Sequence, residues 1–168
     1  MAMRIPLHLL IRDLLLVAAT LGLWVWSRQL DADGGGTLAI AVAIGAGVMT
    51  AVSGYLVHEW GHLTAALMRG SVVELPRSVA AVFLFKFNSE ANSREQFLWM
   101  SMGGFIASGI IVALLFALLS FDRLADLVAL GLTVAGVIAT LILEVPPAMK
   151  VYRGAPLPRG VAYSGGPN

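Results

Sequence analysis

His58-Glu59-Trp60-Gly61-His62 has the residue types and spacing for metal-assisted hydrolysis, in a chain of 168 residues with only three histidines. On a helix, positions i and i+4 lie on one face a turn apart, so both imidazoles can reach one metal ion. Glu59 leans toward the same side and can take a proton from a water that the metal activates. A third donor is required, because a catalytic zinc usually takes three protein ligands and leaves the fourth position open. The chain has no cysteine. Any metal must therefore be held by His, Asp, Glu or water, and neither a disulfide framework nor a thiolate nucleophile is possible.

The elements that must position these groups are membrane spans. Charged residues make up 12% and hydrophobic residues 58% of the chain, with a mean hydropathy of +0.85, whereas ordinary globular chains carry ~25% charged residues. The composition implies an all-α, multi-pass integral membrane protein with the lipid bilayer as a partner. The basic residues are scattered beside apolar segments, which argues against nucleic acid. Charged groups at membrane depth cost ~2.5–3.5 kcal/mol each on insertion scales, so two histidines and a glutamate within an apolar stretch read as functional.

Four stretches approach or exceed the ~20 residues needed to cross a bilayer. They run from about Leu7 to Trp26, Leu38 to Met68, Phe97 to Leu119 and Leu124 to Val145. The first reads as a retained anchor with Trp24 and Trp26 at the interface. The run from Asp31 to Gly36 reads as a turn. A single domain covers 1–168, with its core at 38–149 and a Pro/Gly-rich tail at 150–168 that has little regular structure at its end. Between the second and third spans, Val82 to Asn88 becomes alternating, with Phe83, Phe85 and Phe87 on one side. This predicts a short β-hairpin-like segment associated with the membrane surface. Its edge suits strand addition by an unwound peptide, or the segment serves as an interfacial hairpin anchored by its phenylalanines. Gly45, Gly47, Gly54, Gly103, Gly104, Ser108 and Gly109 predict close helix packing.

Charge asymmetry predicts the orientation. Arg4, Arg12, Arg69, Arg77, Lys86, Arg94, Lys150, Arg153 and Arg159 fall on one side of a four-span chain. The other side receives Arg28 and Arg123 with Asp31, Asp33, Asp122 and Asp126. Both termini are then cytoplasmic, in what is expected to be the cell membrane. His62 lies about 10 Å and His58 about 16 Å of helix before Arg69 at ~1.5 Å per residue. Depth selects the third donor. The four aspartates sit on the far side, while His8 and Asp13 fall among interfacial charges and are expected to be solvated. Glu144 is the acidic residue in the cytoplasmic half of the fourth span, about 9 Å of helix before Lys150, level with His62. Pro146 and Pro147 are expected to stop or kink the helix there, as is tolerated where backbone lines a cavity. Failing Glu144, Glu74 and Asp13 are next.

This arrangement resembles the site-2 protease family, the intramembrane zinc metalloproteases. His58-Glu59-Trp60-Gly61-His62, with Ala65, Ala66 and Gly70 downstream, resembles that family's HExGH followed by small residues and a glycine. Gly103-Gly104-Phe105-Ile106-Ala107 stands where the family has Gly-Pro-x-x-Asn but lacks the Pro and the Asn. Leu143-Glu144-Val145-Pro146-Pro147-Ala148-Met149 has a proline break but not the family's Leu-Asp-Gly. The resemblance spans roughly Leu38 to Met149. It implies zinc held by His58 and His62, with Glu59 as general base; Glu144, selected by depth, would take the place of the family's Asp from a few residues upstream. The expected activity is an endopeptidase that cleaves transmembrane segments of other proteins. The alternatives are a catalytically inactive relative acting as a membrane scaffold or regulator, and an ion or proton transporter. Reporter fusions check the orientation: those after Ser78 and Gly160 should read cytoplasmic and one at Gly35 external.

Overall fold

A computed structural model describes residues 5–165, so Arg4 and the last three residues of the tail lie outside the described residues. Four helices form the molecule: α1 (Leu7–Ala32), α2 (Thr37–Met68), α3 (Arg94–Leu118) and α4 (Leu124–Tyr152). All four are long and apolar enough to cross a membrane, as expected for an all-α integral membrane protein. Their outward faces carry exposed Leu, Ile and Val, as lipid-facing helices do. α2 is the central helix and packs against the other three. A small sheet lies across one end of the bundle: β1 (Val73–Glu74), β2 (Lys86–Asn88) and β3 (Tyr163–Ser164).

Small residues set how closely α2 approaches its neighbours. A Cβ at Gly103 would sit 2.5 Å from the Ala65 Cβ and against the Gly61 carbonyl, and one at Gly61 would fall 2.6 Å from the Gly103 carbonyl. Only two facing glycines allow this contact. Gly47 meets Val128 of α4 in the same way, and Gly54 approaches Ile111 of α3. Gly45 and Gly109 do not act as expected, because a Cβ at either finds open space.

Helix ends differ from the expected boundaries for identifiable reasons. α1 runs past Trp26 to Ala32, absorbing the first residues of the expected turn. Gly34 then takes φ 98° and closes the helix, with Gly34 N–H donating to Asp31 O and Gly35 N–H to Leu30 O. The Trp24 indole donates to Thr50 Oγ1 at 2.7 Å between α1 and α2. α3 starts at Arg94 because Ser93 and Gln96 form a reciprocal capping box. The Gln96 amide also donates to Arg69 O at 3.0 Å, tying the start of α3 to the end of α2.

Of the two outcomes expected at Pro146 and Pro147, a stop or a kink, the stop is not observed: α4 continues to Tyr152. Each proline lacks one helical donor, but the turn beyond is held by packing: Val151 is buried, and Ala148 lies against the same cluster. Gly154, with φ 103°, closes the helix, its N–H donating to Val151 O and that of Ala155 to Lys150 O. The tail is also more ordered than expected. Tyr163 and Ser164 pair in parallel with Phe87 and Asn88, so β2 has a partner on each side. The hairpin-like part is β1 against β2, where Glu74 faces Lys86. Beneath the sheet, Leu9, Leu63, Leu84, Phe87, Phe97 and Val151 form a buried cluster to which all four helices contribute.

The α2–α3 contact generates a stability prediction. Gly103→Val should destabilise the protein by ~1–3 kcal/mol through overpacking, read as a lower Tm in detergent. Gly109→Ala, placed in open space, should leave Tm level or raise it slightly.

Candidate metal centre

His58, Glu59 and His62 are buried in the last third of the long α2 helix, at 3%, 7% and 8% exposure. The two rings lie one turn apart with their Nε2 atoms 3.0 Å from each other. Glu144 of α4 completes the group. Its Oε1 is 3.2 Å from His58 Nε2 and its Oε2 is 3.2 Å from His62 Nε2. One donor atom from each of the three residues lies within 4.8 Å of the others. The depth matching that singled out Glu144 therefore has its geometric counterpart. Glu74 is remote from this group, on β1 opposite Lys86.

The outer hydrogen bonds decide what the inner atoms present. His62 Nδ1 is 2.8 Å from Met100 O, and His58 Nδ1 is 3.1 Å from Gly104 O and 2.9 Å from Ser108 Oγ. Carbonyl oxygens only accept, so each Nδ1 carries a proton and donates it to α3. Neutral rings in that tautomer point bare Nε2 lone pairs at each other and at a carboxylate. Glu144 Oε2 is buried and has no hydrogen-bond partner. Protonating both rings would instead bury two imidazolium charges against one carboxylate, which is costly.

Lone pairs converging with no proton between them suit a cation, and imidazole with carboxylate is a donor set for zinc. The observed spacings of 3.0–3.2 Å are close to the ~3.3 Å edge of a tetrahedron with ~2.0–2.1 Å bonds. Gly104 is needed for this placement, because a Cβ there would run into the His62 ring.

Glu59 is not part of that triangle. Its Oε2 accepts from the Leu84 amide at 3.0 Å. Leu84 belongs to a stretch that folds back along α1 and α2 after β1, with its backbone groups met by side chains rather than by a strand. Arg12 donates to Val79 O and Ala81 O at 3.1 and 3.2 Å, and the Tyr55 hydroxyl donates to Val82 O at 3.1 Å. These side chains supply the partners that backbone groups outside helices and sheets otherwise lack. The expected strand over Val82–Asn88 is consequently confined to Lys86–Asn88. Phe83, Phe85 and Phe87 nevertheless share one role: they line a cleft of about 260 Å³ together with Glu59, His62 and Glu144.

Sequence reasoning missed the support beneath this arrangement. Asp13 is 7% exposed rather than solvated. It accepts the Trp60 indole at 2.8 Å and Arg12 Nε at 2.6 Å. The variable Trp60 within the HExxH motif thus links the motif to α1, and Arg12 links α1 to the segment that holds Glu59. An adjacent Arg-Asp pair inside an apolar span was the available signal. The tail was also missed as part of the site, since Ala162 and Tyr163 form a wall of the cleft. Burial pushes the Tyr163 phenol up, and the nearby Glu144 carboxylate adds to the effect, so its hydroxyl stays protonated at neutral pH.

No family model, curated protein or solved structure matches this chain.

The Asp13 link is testable without reference to catalysis. Asp13→Ala leaves the Trp60 indole and Arg12 Nε unpaired, which should cost ~1–3 kcal/mol and lower Tm. Limited proteolysis between Val79 and Leu84 should quicken as Arg12 loses its anchor. Asp13→Asn, which keeps one acceptor, should recover part of both losses.

Proposed function

We propose that this protein is a zinc-dependent intramembrane endopeptidase, a divergent relative of the site-2 proteases, that hydrolyses peptide bonds in transmembrane segments of other proteins. The observation that carries the reading is the convergence of His58 Nε2, His62 Nε2 and the Glu144 carboxylate, with both Nδ1 protons spent on α3 and Glu59 alongside. In this reading His58, His62 and Glu144 hold the zinc. A zinc ion there would supply Lewis acidity, acidifying water and stabilising negative charge on a carbonyl oxygen.

The remaining work belongs to the protein's own groups. Glu59 has Oε2 held by the Leu84 amide, which directs the carboxylate and leaves Oε1 to accept a proton from water. The same carboxyl then returns the proton to the departing amine. Met100 O and Gly104 O fix both imidazoles by their outer nitrogens, so the histidines do not reorient during the reaction. The cleft walls Phe83, Phe85, Phe97 and Tyr163 suit apolar side chains flanking a scissile bond. A helical peptide bond is shielded by its neighbours, so the substrate must enter unwound. Charge asymmetry supports a cytoplasmic location for the sheet-bearing end and both termini, which makes the water path to the cleft short.

Cleavage of a transmembrane-helix substrate, measured alongside metal content of the purified protein, tests the reading. Glu59→Gln should lose cleavage while keeping both fold and zinc, since the amide retains an oxygen for the Leu84 N–H. Turnover within a few-fold of wild type would remove Glu59 from the mechanism. Glu144→Ala should lose most zinc, as His58→Ala does. Glu144→Asp should recover little, because the shorter side chain misplaces its oxygen for contacts of ~2.0–2.2 Å. Zinc retained without cleavage in the wild type would favour the inactive scaffold instead.

A further inference from the structure

The cleft that holds Glu59, His62 and Glu144 has few side-chain hydrogen-bond donors to offer a substrate. Its two carboxylates, when ionised, only accept. His62 donates its Nδ1 proton to Met100 O at 2.8 Å and turns a bare Nε2 toward Glu144. The Ser101 hydroxyl is spent on Phe97 O at 3.0 Å. Tyr163 is the remaining lining side chain with a polar hydrogen, and among the described residues none receives it.

That phenol is held in a fixed place. Tyr163 pairs in register with Phe87 of β2, so the two side chains project from the same face of the sheet. Phe87 is buried beneath the sheet and lines the same cleft. The Tyr163 ring also lies against Phe97 of α3, with centroids 6.2 Å apart, and its amide donates to Gly160 O at 3.0 Å. Peptide hydrolysis calls for a donor where charge develops. As water adds to the carbonyl carbon, the C=O π pair moves onto the oxygen and one water proton passes to Glu59. The pair then re-forms C=O, the C–N bond breaks, and the nitrogen leaves with the proton that Glu59 returns. An O–H already aimed at that oxygen lowers the barrier, because it needs no reorganisation as the charge appears.

We propose that Tyr163 is a catalytic residue of this site, its hydroxyl donating a hydrogen bond to the oxyanion that forms on the substrate carbonyl. Tyr163 keeps its own proton throughout, and the bond strengthens only as charge builds on the oxygen. The assignment deepens the protease reading and rests on it. It also gives β3 a chemical task, since the strand carries into the cleft the one uncommitted side-chain donor of its lining.

Tyr163→Phe tests this, because the ring, its contact with Phe97 and the strand pairing remain while the O–H is removed. With the full chain in lipid nanodiscs and a transmembrane-helix substrate, kcat should fall ~10²-fold or more, with KM, zinc content and Tm unchanged. A phosphinic peptide, whose tetrahedral anionic group copies the oxyanion, should lose affinity for Tyr163→Phe by a comparable factor. Binding of the intact substrate, measured in the Glu59→Gln background, should not change when Tyr163→Phe is added. Wild-type cleavage with Tyr163→Phe within a few-fold of it overturns the assignment and leaves the protease reading standing. A rise in KM alone, or unchanged affinity for the phosphinic peptide, makes Tyr163 only a wall of the cleft and also overturns it. Absence of wild-type cleavage instead sinks the protease reading, and the assignment with it.

Discussion

The close contact between α2 and α3 is the constraint on which the rest of the site depends. Gly61 and Gly103 let the two backbones meet, and Gly104 clears space for the His62 ring. That approach brings Met100 O and Gly104 O within hydrogen-bonding distance of the two outer imidazole nitrogens. The carbonyls select the tautomer, and the tautomer turns both Nε2 lone pairs toward Glu144. A methyl group at any of these glycines would push α3 away and release the rings together.

Around that contact, several polar groups in the apolar bundle are answered by a partner from another element. Asp13 takes the Trp60 indole, Arg12 takes two carbonyls of the segment before β2, and Tyr55 takes a third. The same segment offers its Leu84 amide to Glu59, so the network that holds this non-helical backbone also aims the proposed base. Thr20 with Ser53, and Trp24 with Thr50, extend this pattern along the α1–α2 seam.

The tail ties the two ends of the chain's functional region together. β3 adds to β2 and puts Tyr163 beside the cleft, against Phe97 of α3. A wall of the proposed substrate cleft therefore comes from the part of the chain that looks least structured by composition. Its order is supplied by Phe87 and Asn88, which had no strand partner beyond β1 until the tail arrived.

The sequence by itself determined the class and displayed the candidate residues: four apolar stretches, an HExxH pattern within one of them, and an acid at matching depth in the fourth. Those follow from local periodicity and from the cost of charge in lipid, which a single chain displays residue by residue. Tertiary structure alone decided the rest. Composition could not say that Asp13 would find Trp60 rather than solvent, because the cost of burying it depends on a partner 47 positions away. Nor could local rules foresee α4 running through Pro146 and Pro147, since the turn beyond them is held by packing of Ala148 and Val151. The alternation of Phe83, Phe85 and Phe87 correctly grouped three side chains, but only Phe87 lies in a strand, and ahead of it the Val79, Ala81 and Val82 carbonyls and the Leu84 amide are met by Arg12, Tyr55 and Glu59. In each case long-range partners met a polar or packing demand that the local sequence could only pose.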